Sequence, residues 1–147
     1  MQIPKPEFAF TIFCLMDPIE SIGPSNNGHL LRFPIRSGTI DGPGIKGEVL
    51  PGGADWQTAR PDGGLVLEAK YSFRTDDGVL VQVYNRGIAW LPGTGSWDGA
   101  PPPTRTAAQF VAPTGKYDWL NKYTFVSSVD VPPEPIDRVW IHFFKLL

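Results

Sequence analysis

A carboxylate and a large aromatic ring follow two consecutive glycines. Asp55 and Trp56 come just after Gly52 and Gly53, where the chain can turn through positive φ. A carboxylate packed against an indole is desolvated, which raises its pKa and lets it hold a proton near neutral pH. Asp55 is therefore a candidate general base or hydrogen-bond acceptor, and Trp56 a candidate stacking surface for a flat ligand. The structural alternatives are an Asx-turn or strand-end cap for Asp55 and barrel-end packing for Trp56.

Two asparagines lie on predicted apolar strand faces. Asn85 follows two valines at the strand spacing of two, and Asn121 lies between Trp119 and Tyr123 in the same way. An amide in apolar surroundings must find partners or cost several kcal/mol. The two amides either meet a ligand in a cavity or tether the backbone. In the first case Asn121 is a candidate catalytic residue, Asn85 binds the substrate, and Trp119 and Tyr123 contact it.

Hydroxyl and guanidinium groups complete the candidate set. Tyr71 and Tyr123 could donate a hydrogen bond to an oxygen that gains charge during a reaction, or they could be core residues with their hydroxyls at the rim. Tyr71 is the candidate for catalysis. Arg86 is either a clamp for an anion or enolate of the substrate or a solvated charge at a strand end.

The histidines and the cysteine are too few to form a zinc site. His29 and His142 are the only histidines, and Cys14 is the only cysteine, in an apolar setting that favours a buried thiol. If the face of His142 lines a cavity, His142 is an acid/base candidate; if it faces solvent, it is an ordinary surface residue. No phosphate loop, dinucleotide fingerprint or Ser-His-Asp motif is present in the sequence. We therefore expect no metal and no cofactor.

Length, charge and composition narrow the class of protein. The chain has 147 residues, a net charge of −2 and no basic run, so the electrostatic footprint of a nucleic-acid binder is missing. No apolar run approaches the length of a membrane span, and no signal peptide is recognisable. We expect one domain (residues 1–147) in the cytoplasm, with no membrane partner.

The elements that must position these side chains are strands. The 16 glycines and 16 prolines are spread along the chain as turn signals, and no segment has a convincing helical period. Alternation in residues 65–74 places Leu67, Ala69 and Tyr71 on one face, and Asp77-Gly78 predicts a tight hairpin turn. Further strands are predicted over residues 8–16, 29–35 with a continuation to 40, 46–50, 79–86, 104–111, 117–127 and 139–147.

About eight to ten strands in one domain predict a sandwich or a barrel. The terminal strands are apolar on both faces and would promote aggregation at an open edge, whereas pairing them would close a barrel. We therefore predict an all-β protein with a single antiparallel β-barrel, in which Gly52 and Gly53 turn the chain at one mouth. The Gly/Pro-rich residues 90–103 are predicted to be a lid, a binding loop or a mobile segment.

Several short pieces of the sequence are typical of one family. They are Pro18-Ile19-Glu20, residues 47–56, Arg60-Pro61-Asp62-Gly63, Ala69 with Tyr71, residues 75–78, Asn85-Arg86-Gly87, and Tyr117 with Trp119-Leu120-Asn121. In these pieces, spread over nearly the whole chain, the sequence resembles the small proteins catalogued as domain of unknown function 3237. The resemblance implies a lipocalin-like antiparallel β-barrel with an internal cavity, and it implies no agreed reaction.

The sequence supports three hypotheses about function. The first is a cofactor-independent isomerase, cyclase (including a pericyclic cyclase) or lyase of specialised metabolism, acting on a small apolar or aromatic, polyketide- or terpenoid-like molecule in the cavity. The second is a non-catalytic binding or carrier barrel. The third is a structural or oligomerising module, with a homodimer as the simplest form. The expected partner in the first two cases is a small-molecule ligand or substrate.

Overall fold

The protein is built almost entirely of β-strands. The computed structural model describes residues 1–90, 102–133 and 136–147. The ten strands are β1 (Pro6–Met16), β2 (Glu20–Ser25), β3 (Gly28–Gly42), β4 (Ile45–Val49), β5 (Ala54–Ala59), β6 (Gly64–Thr75), β7 (Leu80–Trp90), β8 (Arg105–Val111), β9 (Phe125–Asp130) and β10 (Arg138–Leu146). A short 3-10 helix spans Asp118–Asn121. No described residue belongs to a helix with the length and apolar character needed to cross a membrane.

The strands close into an antiparallel barrel. β1 pairs with β10 on one side and with β3 on the other, which joins the two ends of the sheet. β4 and β5 both pair with β3 and β6 and follow one another along a single position in the wall. β2 pairs with β3 outside the ring. The predicted all-β barrel is therefore confirmed, as a closed eight-strand barrel with two extra strands.

Aromatic side chains fill one half of the barrel interior. The rings of Phe10, Phe110, Phe125 and Phe143 pack with centroids 5.0 to 6.2 Å apart. These residues lie where β1 and β9 begin and where β8 and β10 end, so they share one end of the barrel. The 3-10 helix adds Leu120, which is fully buried in the same cluster. This packing leaves the interior near the opposite end as the place for a cavity.

The glycine-rich segment between β4 and β5 is a bulge within the wall. Val49 pairs with Gly38 and Ala54 with Pro34, so residues 50–53 oppose residues 35–37 without any reversal of the chain. A local turn through positive φ is present, with Gly52 at φ 100°, but its predicted place at a barrel mouth is wrong, because it lies within the wall. The composition suits either structure, because extra residues on one side of an antiparallel pair also need glycine. As a consequence, β5 pairs in the register in which the Asp55 side chain faces the barrel interior.

Two further strand predictions are corrected. Residues 20–25, for which no strand was predicted and whose last three residues were assigned to a turn over residues 23–28, form β2, which tolerates Pro24 because it is an edge strand. Residues 117–127, predicted as one strand, begin with the 3-10 helix and become a strand only at Phe125. The short aromatic run fits a period of two by chance, while Asn121 bonds to the backbone of Ala112 and fixes the turn. Residues 91–101 of the predicted loop lie outside the described residues.

The bulge glycine beside the interior tyrosine should not accept a side chain. A Cβ on Gly53 would lie 2.4 Å from the Cβ of Tyr71 and 2.8 Å from the carbonyl oxygen of Lys70. We expect Gly53→Ala to lower the free energy of unfolding by about 1–3 kcal/mol, as overpacking does. Gly44→Ala, which meets nothing within 4 Å, is the control. Urea unfolding measures both variants, and equal stabilities would contradict this view of the bulge.

A carboxylate ties the β6–β7 hairpin to the segment before the 3-10 helix. Asp77 accepts hydrogen bonds from the hydroxyls of Thr75 (2.6 Å) and Tyr117 (2.7 Å) and from the ammonium group of Lys116 (3.0 Å). The predicted hairpin turn is confirmed, with Gly78 at φ 90°. These three donors, led by Thr75, hold the pKa of Asp77 well below its usual range.

A lowered pKa fixes the sign of a pH effect. The ionised Asp77 stabilises the fold above the pKa of an unfolded aspartate, and this contribution fades as the pH falls. We therefore expect Asp77→Asn to be less stable than the wild type at pH 7, with a smaller deficit at pH 3. Denaturant unfolding at the two pH values tests this, and a deficit that grows toward low pH would contradict it.

Candidate functional site

A small cavity lies in the part of the barrel interior that the aromatic cluster does not fill. It has a volume of about 60 Å3, and its polar lining side chains are Cys14, Asp55, Tyr71, Asn85 and Thr106. The rest of its wall is apolar, from side chains of β1, β3, β6, β9 and β10. We call this space the inner cavity. A mostly apolar pocket with a few converging polar groups is the usual form of a small-molecule site.

Strand register brings the three main polar groups together. Asp55 on β5 pairs with Ala69 on β6, which pairs in turn with Asn85 on β7. The side chains of Asp55, Ala69 and Asn85 all point inward. Tyr71, the third polar group, is the next inward residue after Ala69 along β6. Because Ala69 between them is small, the space between Asp55 and Asn85 stays open. The faces of β6 and β7 that carry Tyr71 and Asn85 thus both line the inner cavity.

Each of these polar groups has an atom with no protein partner. Among the described residues, Asp55 Oδ1, Tyr71 Oη and Asn85 Oδ1 are enclosed and make no hydrogen bond. The Asp55 residue as a whole is only half-buried, yet Oδ1 itself has almost no accessible surface. Buried polar groups without a partner cost free energy, so three at one site need an explanation. A bound molecule that donates to Asp55 Oδ1 or Asn85 Oδ1 and accepts from the Tyr71 hydroxyl would supply these partners, and so would water.

Burial dominates the titration of Asp55. Enclosure raises the pKa of Asp55 to about 6; hydrogen bonds from Gln57 and from the backbone of Glu68 act in the opposite direction, and the Glu68 carboxylate adds a smaller increase. Gln57 Nε2 donates to Asp55 Oδ2 at 2.6 Å. A carboxyl group with this pKa changes between acid and base close to neutral pH, as a proton-transfer group must.

The two other ionisable groups of the inner cavity stay protonated. Burial raises the pKa of Cys14 to about 12 and that of Tyr71 well above its ordinary value, and the nearby Asp55 charge adds to both effects. Cys14 is therefore a neutral thiol, in agreement with the sequence, and Tyr71 is a hydrogen-bond donor. Of the cavity groups among the described residues, Asp55 is the one that can gain and lose a proton at neutral pH.

Trp56 lies on the opposite side of the wall from Asp55. Alternation along β5 turns its ring outward, where the Arg32 guanidinium lies 5.4 Å from the ring centroid. The indole therefore does not enclose the Asp55 carboxylate, and the prediction that the indole desolvates this carboxylate is wrong. The raised pKa instead comes from the apolar wall of the inner cavity. Trp56 does not line the inner cavity, and its predicted role in stacking on a flat ligand stays a prediction.

Arg86, Asn121 and Tyr123 meet at a different place. They line a surface groove of about 570 Å3 beside β8, which we call the outer groove. The Asn121 amide is occupied, because it donates to the Ala112 carbonyl (2.8 Å) and accepts from the Ala112 N–H (2.9 Å). Arg86 is paired with Glu68 at 2.9 Å. The structure thus separates the predicted site residues into an inner and an outer group, and Asn121 does not reach Asp55.

His142 and Trp119 also lie away from the inner cavity. His142 is on the outer face of β10, where its ring bonds to Thr11 Oγ1 (2.8 Å) and Asp130 Oδ2 (3.1 Å). The condition attached to its catalytic role, a face that lines the cavity, is therefore not met. Trp119 packs against the aromatic cluster, 6.0 Å from Phe125. Among the described residues, no three potential metal ligands come together.

Gln57 and Thr106 are site residues that the sequence reading missed. Gln57 lies two residues after Asp55 and so on the same strand face, which alternation alone could have shown. Thr106 shares a buried hydrogen bond with Ser127 across β8 and β9. Its only signal was its position among the small residues of β8.

Replacing the Asp55 carboxyl by an amide should reveal the cost of burying its charge. The pKa of Asp55 is about 6 in the folded protein, against an ordinary 3.8. The wild type therefore has its full stability below about pH 4 and loses part of it as the pH rises through 6 and Asp55 ionises inside the fold. We expect Asp55→Asn to gain stability relative to the wild type by up to about 3 kcal/mol between pH 4 and pH 8. Urea unfolding measures this difference, and Asp41→Asn on the exposed outer face is the control. A difference that does not change with pH would contradict the buried carboxyl.

Known proteins are similar to this chain in both sequence and fold. The family described as "Protein of unknown function (DUF3237)" matches residues 4–146. UPF0311 protein RPA1785 of Rhodopseudomonas palustris is 36% identical over 96% of this chain and 95% of its own. Its crystal structure superposes with a TM-score of 0.87 over the full length of both chains.

Two further crystal structures extend the comparison. A "beta-barrel like protein" from Acinetobacter baumannii is 25% identical, with a TM-score of 0.86 over 100% of this chain and 98% of its own. A protein described as "an enzyme from Penicillium herquei" is 24% identical, with a TM-score of 0.75 over 100% of this chain and 97% of its own, and shows that an enzyme shares the fold. The match over residues 4–146 and the 36% identity to RPA1785 establish that this chain belongs to the DUF3237 family.

Proposed function

We propose that this protein is a cofactor-independent isomerase, cyclase or lyase that moves a proton on a small apolar or aromatic metabolite. The observation that supports this most is the group of unpartnered atoms at the inner cavity, Asp55 Oδ1, Tyr71 Oη and Asn85 Oδ1. Together they provide a group that titrates near neutral pH, a fixed donor and an acceptor. Proton transfer and hydrogen bonding are all that an enolisation, or a cyclisation that follows it, requires.

The roles follow from the chemistry of each group. Asp55 as a carboxylate takes a proton from the carbon next to a substrate carbonyl, and as a carboxylic acid it returns that proton to another position. Tyr71 donates its hydroxyl proton in a hydrogen bond to the carbonyl oxygen, where negative charge develops. Asn85 Oδ1 accepts a hydrogen bond from a substrate hydroxyl and fixes the orientation.

The size of the inner cavity limits how a substrate is held. About 60 Å3 is well below the 300 Å3 or more of common ligand pockets. The substrate therefore inserts its reacting end, and the remainder extends toward the barrel end at which β1 finishes and β10 begins. Met16, Val129 and Val139 line the cavity on that side, and their side chains suit an apolar body.

A carrier barrel is the second candidate. The same three polar atoms would hold a ligand without changing it, and the apolar wall supports retention. A specific observation favours this alternative: the stable neutral forms of Tyr71 and Cys14 leave Asp55 as the only described cavity group able to relay a proton. A reaction that needs separate acid and base groups would not be served.

Hydrogen exchange on simple ketones tests the catalytic proposal. Purified protein is incubated in D2O with hydroxyacetone or 2-hydroxyacetophenone, and loss of the α-proton signal is followed by NMR. We expect the wild type to accelerate exchange, with a rate that rises with pH through about 6 as Asp55 ionises. Asp55→Asn should lose about 100-fold or more of the acceleration, the usual contribution of a general base. Asp41→Asn is the control.

The carrier alternative predicts a different result. Native mass spectrometry of the protein as expressed would show a bound small molecule of unchanged mass, and the ketones would not exchange. Exchange that is equally fast in the wild type and in Asp55→Asn would contradict the role given to Asp55. Conversion of added pathway intermediates, lost in Asp55→Asn, would exclude the carrier.

A further inference from the structure

Asp55 is held through one of its two oxygen atoms. Gln57 Nε2 donates to Oδ2 at 2.6 Å, while Oδ1 has no partner among the described residues. The two side chains point the same way because they are two residues apart on β5, which pairs with β3 and β6 along its length. The contact is therefore built into the strand and does not depend on a loop.

The direction of this hydrogen bond decides where a proton can lie. In the structure the Gln57 N–H faces Oδ2, so Oδ2 is the acceptor. A proton on Oδ2 would oppose the N–H of Gln57, whereas a proton on Oδ1 leaves the bond intact. The Gln57 contact can then persist in both the ionised and the protonated form of Asp55.

We infer that Gln57 is a positioning residue, which holds Asp55 by Oδ2 and leaves Oδ1 as the atom that exchanges a proton with the bound molecule. This inference rests on the proposed function for its reference to a substrate, but the arrangement itself belongs to the free protein. Gln57 is half-buried and touches no reacting atom in this account. Its effect on the reaction passes entirely through Asp55.

Among the described residues, no other side chain donates a hydrogen bond to the Asp55 carboxyl group. Cys14 on β1 and Tyr71 on β6 face the same space and are protonated, and the Glu68 carboxylate on β6 repels the ionised form. Asn85 on β7 and the inward side chains of β3 carry no charge. The backbone of Glu68 also lowers the pKa of Asp55, and this effect would remain after a change at Gln57. Loss of Gln57 should therefore shift the titration of Asp55 without removing every group that favours the ionised form.

The test is a titration of Asp55 in the free protein. The side-chain carboxyl carbons of aspartate are labelled with 13C and followed by NMR between pH 3 and pH 9, and the Asp55 signal is identified by its loss in Asp55→Asn. We expect a midpoint of about 6 in the wild type. In Gln57→Leu, which removes a donor to the ionised form, we expect the midpoint to rise by about one pH unit.

Two more variants make the test decisive. Gln57→Glu places a second carboxyl group against Oδ2, so we expect a higher midpoint than in the wild type and titration in two coupled steps. It also serves if Gln57→Leu fails to fold. Gln82→Leu, on the exposed face of β7, should leave the Asp55 midpoint unchanged. A Gln57→Leu midpoint equal to or below that of the wild type, or a Gln57→Glu titration in one unshifted step, overturns the inference.

The pH–rate profile separates this inference from the proposed function. Where the ketone exchange assay detects catalysis, the pH midpoint of the rate in Gln57→Leu should move together with the NMR midpoint. A rate midpoint that stays in place while the NMR midpoint moves would overturn the link between Gln57 and catalysis. An absence of exchange in the wild type would count against the proposed function, while the titration would still decide the role of Gln57.

Discussion

Enclosing a carboxyl group in an apolar barrel, with no cation beside it among the described residues, is the constraint on which the site depends. The Glu68 carboxylate is the charged side chain that acts on Asp55 among the described residues, and it raises the pKa further. The fold offsets this cost only in part, through Gln57 and the backbone of Glu68. A protein that retained Asp55 for stability alone would gain from an amide at this position. The cost is understandable if the carboxyl group serves a bound molecule.

The rest of the barrel makes this enclosure feasible. The aromatic cluster around Phe10 and Phe143 stabilises one half of the interior, so the other half can contain an incompletely filled space. The bulge after Val49 sets the register of β5 and turns Asp55 inward and Trp56 outward. Gly53 lets the bulge pass close to Tyr71. Stability, strand register and the site are thus parts of one arrangement.

Alternating patterns in the sequence were sufficient to predict much of this. The alternation along β6 and β7 correctly predicted that Tyr71 and Asn85 face the barrel interior, since clean alternation over ten residues leaves little choice of register. Asn121 was misplaced because a few aromatic residues at a spacing of two also fit a 3-10 turn, which Asn121 then stabilises through Ala112. The bulge could not be recognised, since glycine-rich sequences suit bulges and reversals equally. The bulge sets which of Asp55 and Trp56 faces inward, and alternation along β5 keeps the two side chains on opposite sides of the wall.

The structure offers two places for a ligand, the inner cavity at Asp55 and the outer groove at Arg86 and Tyr123. A crystal structure of the protein with a retained ligand, or with a ketone analogue of the substrate, tests this choice most directly. We predict a ligand oxygen within about 3.2 Å of Asp55 Oδ1, with Gln57 still bonded to Oδ2. A ligand held in the outer groove, with Asp55 Oδ1 left without a contact, would contradict the account.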